Sequence, residues 1–107
     1  MSEAVADQIK EDIKANDILI YMKGTPAAPQ CGFSAATSQL ISSFGLPFET
    51  RDVIANPELR DAVPKISQWP TFPQVFVKGK LVGGCDIIHE IHERGELDDV
   101  LKGVKKD

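Results

Sequence analysis

The chain has 107 residues and a formal net charge of −4, enough to bury a core without staples and only enough for one domain over residues 1–107. Its acidic balance argues against a nucleic-acid-binding face, which needs a dense Lys/Arg surface, and its apolar runs fall well short of a membrane span. Met1–Asp7 has no basic start leading into an apolar stretch, and the two cysteines, Cys31 and Cys85, point to a reducing compartment, the cytoplasm, rather than a disulfide scaffold.

Val5, Ile9 and Ile13 recur at spacing four and predict an amphipathic first helix. Ile18-Leu19-Ile20-Tyr21-Met22 reads as a buried strand, followed by the Pro-rich turn Thr25-Pro26-Ala27-Ala28-Pro29. A second helix opens at Cys31, places Ala36, Leu40, Ile41 and Phe44 on one side, and stops at Gly45. The alternation of Phe48-Glu49-Thr50-Arg51-Asp52-Val53 predicts a second strand. Asn56-Pro57 then gives an N-cap and a first-turn proline for a third helix through Leu59, Val63 and Ile66, which Pro64 should kink or divide.

Val75-Phe76-Val77 and Leu81-Val82, split by Lys78-Gly79-Lys80, predict a hairpin. Gly83-Gly84-Cys85-Asp86 leads into a fourth helix with Ile87, Ile88 and Ile91 inward; Leu97, Val100 and Leu101 suggest a short fifth helix, with Lys102, Lys105 and Lys106 in its solvated last turn. This is an α/β order: two parallel strands joined by a right-handed crossover, then an antiparallel pair. A four-stranded mixed sheet flanked by about five helices is the simplest closure.

Cys31-Gly32-Phe33-Ser34 carries the most chemistry. A cysteine at a helix start faces unpaired backbone N–H groups and the positive end of the helix dipole, which favour thiolate over thiol. Lys23, at the end of the preceding strand, can bring its ammonium toward the same sulfur. Ser34 stands where a redox-active pair would have its second cysteine, so the motif holds one reactive thiol; its hydroxyl can bond back to the sulfur or to a backbone amide.

Met22-Lys23-Gly24-Thr25-Pro26, Pro29-Gln30-Cys31-Gly32-Phe33-Ser34, Trp69-Pro70-Thr71-Phe72-Pro73-Gln74 and Gly83-Gly84-Cys85-Asp86 occur in register, and together they resemble the monothiol glutaredoxins of the Cys-Gly-Phe-Ser class, of the bacterial single-domain type. The resemblance implies the thioredoxin fold, glutathione binding, and a labile [2Fe–2S] cluster held between two protomers. It also implies iron–sulfur delivery to apoproteins and pairing with BolA-type proteins.

On that resemblance Cys31 is both the reactive thiol and the cluster ligand, and Gly32 and Phe33 belong to the binding surface. Lys23 meets the glycine end of glutathione, with Arg60 assisting from the third helix. Thr71-Phe72-Pro73 is where the family carries a cis-proline, leaving the Phe72 N–H and C=O free for an extended peptide. The amides of Gly84 and Cys85 receive the γ-glutamyl carboxylate while Asp86 takes the ammonium; Gly84, lacking Cβ, permits close approach. The Cys85 thiol is left open between inert and redox-active. Trp69 is left open between groove wall and core, and His89 and His92 read as a solvated helix face rather than a metal pair.

Three functions compete. A [2Fe–2S] carrier needs four sulfur ligands, and positions 31 and 85 do not fit a self-contained cluster spacing, whereas Cys31 and one glutathione thiolate from each of two protomers do. A glutathione-dependent thiol–disulfide oxidoreductase could work with Cys31 alone, a second glutathione resolving it. A regulatory adaptor would act solely through its partner protein. Absorbance of anaerobically purified protein separates the first from the second, and capture of a BolA-type partner addresses the third.

Overall fold

The computed structural model describes residues 1–105; Lys106 lies outside them. The elements are α1 (Glu3–Ala15), β1 (Ile18–Met22), α2 (Gly32–Ser42), β2 (Glu49–Asp52), α3 (Pro57–Ser67), β3 (Gln74–Val77), β4 (Lys80–Gly83), α4 (Cys85–Glu93) and α5 (Leu97–Val100). The strands form one mixed sheet in the order β2-β1-β3-β4, with β1 parallel to β2 and antiparallel to β3. This is the four-stranded mixed sheet that the element order predicts, in the thioredoxin-type arrangement that the resemblance implies.

The central strand explains the layering. Every β1 residue is buried, and successive side chains leave on opposite faces. Ile18, Ile20 and Met22 pack with Ile41 of α2, Ile88 of α4 and Leu97 of α5. Leu19 and Tyr21 pack with Ile9 of α1 and with Val53, Ala62 and Val63, the last two from α3. Both faces are therefore covered, and the ends of β1 and β3 bring the sequence motifs to one edge of the sheet. The hairpin turns at Lys78 and Gly79, whose φ values of 51° and 84° are left-handed at both positions, as a tight two-residue turn between twisted strands requires.

Several expectations change. The buried stripe of α2 is Ser34, Thr37, Ser38 and Ile41; Leu40 and Phe44 only flank the core, because small hydroxyl side chains let the helix sit close to the sheet. Pro64 does not divide α3, which runs unbroken from Pro57 to Ser67. Asn56 precedes α3 but does not cap it through its side chain; its Nδ2 instead donates to the Asp52 carbonyl at 2.9 Å. The helix α5 ends at Val100, so Lys102 and Lys105 follow it as exposed residues outside any helix.

Candidate functional site

Cys31 is the N-cap of α2, in extended backbone conformation (φ −156°, ψ 134°). A side chain at the N-cap looks back over the free amides of the second and third helical residues, here Phe33 and Ser34. The thiol makes no capping hydrogen bond of its own, yet its pKa is pulled below the ordinary thiol value. The Ser34 backbone N–H is the main cause; burial opposes it, and the Phe33 N–H, the Lys23 charge and the Ser34 hydroxyl add to it. The sulfur is half-buried, whereas the neighbouring Phe33 is 62% exposed.

Lys23 is held by its backbone. Its N–H donates to Ser34 Oγ at 3.1 Å, and its carbonyl accepts from the Gln30 N–H at 2.9 Å. Ser34 is fully buried, and its hydroxyl accepts from this amide while also acting on the Cys31 sulfur, so the two alternatives raised by the sequence hold together. The next amide, Gly24 N–H, donates to Asp52 Oδ1 at 2.9 Å. Gly24 has φ 89°, and a Cβ there would lie 2.6 Å from the Ala28 carbonyl oxygen and the Gln30 nitrogen. Only glycine fits this closed turn.

The opposite wall comes from the loop between α3 and β3. The Phe72–Pro73 peptide bond is cis, as the resemblance implies. Buried Gln74 ties this loop down, its Nε2 donating to the carbonyls of Trp69 at 2.8 Å and Thr71 at 3.2 Å. Among the described residues, the Phe72 N–H and C=O have no hydrogen-bond partner.

The third side is the start of α4, with Gly84 at the N-cap and Asp86 in the first turn. A Cβ on Gly84 would lie 3.1 Å from the Pro73 oxygen and 3.4 Å from Trp69 Nε1. The missing side chain lets the protein's own wall close on α4. Cys85 is half-buried; His89 Nδ1 lies 3.5 Å from its sulfur and 2.9 Å from its carbonyl oxygen. His92, exposed, packs its ring edge-on to Phe44 at 5.9 Å.

These elements enclose a groove of about 690 Å³. Lys23, Cys31, Phe33, Arg60, Thr71, Phe72, Pro73, Gly84, Cys85 and Asp86 all line it. Gly32 does not; it is exposed at the first position of α2. Trp69 joins the wall together with Pro64 and Ile87, which residue reading left open or assigned to the helix interior. The pairing of His89 with Cys85 was also missed. Its signal was the spacing of four on one helix, which puts the two side chains on one face. Among the described residues no three His, Cys, Asp or Glu side chains are grouped to hold a metal ion, and no helix is long and apolar enough to cross a membrane.

A four-stranded mixed sheet with a thiolate-favouring cysteine at a helix start, facing a cis-proline loop, defines a protein of the thioredoxin fold with a single motif thiol. The chain matches the glutaredoxin family model over residues 18–82 and belongs to the glutaredoxin family. Its relatives include glutaredoxin 4 of Haemophilus ducreyi, 50% identical over 96 residues that cover 90% of each chain. Monothiol glutaredoxin-S15, mitochondrial, of Arabidopsis thaliana is 43% identical over 103 residues, which cover 96% of this chain and 61% of that protein. The solution structure of a monomeric truncated mutant of Trypanosoma brucei 1-C-Grx1 superposes with a TM-score of 0.85 at 37% identity, covering 94% of this chain and 93% of that one.

Proposed function

We propose that this chain binds glutathione in the groove and, as a pair of chains, carries a labile [2Fe–2S] cluster for delivery to apoproteins in the cytoplasm. The observation that carries the reading is the placement of a single thiolate-favouring cysteine, Cys31, on a groove walled by cations at one side and a helix start with Asp86 at the other. Glutathione has two carboxylates, one ammonium and one thiol. Lys23 and Arg60 suit the glycine carboxylate, the unpaired Phe72 backbone suits the extended cysteinyl unit, and the α4 start with Asp86 suits the γ-glutamyl end. A ligand laid out in this way has its thiol beside the Cys31 sulfur.

The donor set fits a shared cluster. A [2Fe–2S] centre takes four thiolates, and Cys31 plus one bound glutathione supplies half of them from each chain. Ligands supplied partly by a small, dissociable tripeptide suit release to a recipient. A homodimer when loaded follows from the same incomplete ligand set, and the resemblance implies a BolA-type protein as a further partner. Ser34 leaves Cys31 without a motif partner, so thiol–disulfide exchange depends on a second glutathione and is expected to be slow.

The test is anaerobic reconstitution of the native protein with iron, sulfide and glutathione. The expected product is a coloured dimer with about one iron per chain, and no such product without glutathione. Colour and dimer formed equally well without glutathione contradict the reading.

A further inference from the structure

We propose that Asp52 is a positioning residue for glutathione: one carboxylate oxygen fixes both the strand end that bears Lys23 and the loop that launches the helix bearing Arg60. This rests on the glutathione reading above. Asp52 is the last residue of β2, in register with Met22 at the end of β1. Its Oδ1 accepts from Gly24 N–H at 2.9 Å, Ile54 N–H at 2.9 Å and Ala55 N–H at 3.2 Å.

The first bond crosses from one strand end to the other and holds the residue directly after Lys23. The other two close the turn that leads into α3. The Asp52 carbonyl completes that turn by accepting from both the backbone N–H of Asn56, at 3.1 Å, and its Nδ2, at 2.9 Å. Arg60 lies one helical turn further on, its backbone N–H donating to the Asn56 carbonyl at 3.3 Å.

The two cations that line the groove therefore come from segments far apart in sequence that share one anchor. Neither cation is held tightly by its own side chain: Arg60 makes an exposed pair with its neighbour Asp61 at 3.7 Å, a contact of little consequence. Precision must come from the backbone. Burial works against the Asp52 carboxylate, and its three N–H donors override that and hold its pKa below the ordinary carboxylate value. The anchor is therefore charged throughout the neutral range. Asp52 touches no groove volume itself; it acts through the residues it holds.

The experiment is a glutathione titration followed by amide NMR on wild type, Asp52→Ala, Asp52→Glu and Asp52→Asn, with Asp52→Ala repeated in a Lys23→Ala background. Asp52→Ala should weaken glutathione about tenfold, the scale of losing a charged hydrogen-bond anchor. Asp52→Asn, which keeps an acceptor oxygen, should lose less than about threefold, and Asp52→Glu, which keeps the charge but displaces the oxygen, should lose more than about threefold.

In the Lys23→Ala background the added loss should shrink to about threefold or less, because contacting residues of one network are non-additive. Gly24 amide exchange should accelerate in Asp52→Ala with or without ligand. Unchanged affinity in folded Asp52→Ala, or a loss equally large after Lys23 is removed, overturns the proposal. If Asp52→Ala does not fold, Asp52→Glu binding as well as wild type overturns it. A wild type that does not bind glutathione overturns the functional reading and this inference with it, whereas binding with additive losses overturns this inference alone.

Discussion

The groove contains two cysteines at two helix starts, and they differ by one position. Cys31 is the N-cap of α2; Cys85 is the first helical residue of α4, behind the N-cap Gly84. At the N-cap the sulfur faces the amides of Phe33 and Ser34 and lies within the field of Lys23. One residue further in, the Cys85 sulfur meets the imidazole of His89, which is also engaged with the Cys85 carbonyl. At the N-cap the free amides of the first turn point at the sulfur, and that cap geometry gives Cys31 its thiolate character. The groove thus sets a thiolate-favouring Cys31 beside a Cys85 whose sulfur lies against a histidine.

The largest effect expected of this difference is in reactivity. Alkylation by iodoacetamide, followed by mass spectrometry across pH, should label Cys31 at least about tenfold faster than Cys85 near neutrality, since the thiolate is the nucleophile. Because the Cys31 pKa is lowered, its rate should hold up as the pH falls below the ordinary thiol value of about 8.5 and decline only on passing the lower folded value. Lys23→Ala should move that midpoint upward. Equal labelling of both thiols at all pH values breaks the comparison.

Next in size, Ser34→Ala leaves the Lys23 N–H without its buried acceptor and should cost about 1–3 kcal/mol of stability in chemical denaturation. It should also raise the Cys31 pKa while leaving the Cys85 labelling rate alone. The two ends of the groove are compared by Lys23→Ala and Asp86→Ala, each expected to weaken glutathione by about 1–3 kcal/mol in calorimetry. Unchanged affinity in both removes the proposed clamp. The smallest effect belongs to His89→Ala, for which a change within about 0.5 kcal/mol in glutathione affinity is expected. A larger loss would make Cys85 and His89 a working pair.

Strands and helices with an apolar period were legible in the sequence: β1 runs over the predicted residues, and the hairpin turns within the predicted Lys78-Gly79-Lys80, with Lys80 already opening β4. Most groove residues were legible because their motifs are contiguous. What escaped has a common cause. The buried face of α2 is polar, so Ser34, Thr37 and Ser38 gave no hydrophobic signal, and the inward stripe was assigned one step around the helix. Asp52, Asn56 and Gln74 act through hydrogen bonds to backbone that the fold brings near; nothing local in ETRDVIAN says that its aspartate will hold Gly24. Of the two outcomes expected of Pro64, a kink or a division, the division does not occur: Ala62 and Val63 pack in the core and α3 stays whole.

The central claim, that Cys31 and not Cys85 is the protein's cluster ligand, is tested most directly by one paired measurement. Cys31→Ser and Cys85→Ser proteins are reconstituted anaerobically with glutathione, iron and sulfide, and each is passed over a sizing column with in-line visible absorbance and iron analysis. The account predicts a coloured dimer with about one iron per chain for Cys85→Ser and colourless monomer for Cys31→Ser. A coloured dimer from Cys31→Ser, with none from Cys85→Ser, would contradict it.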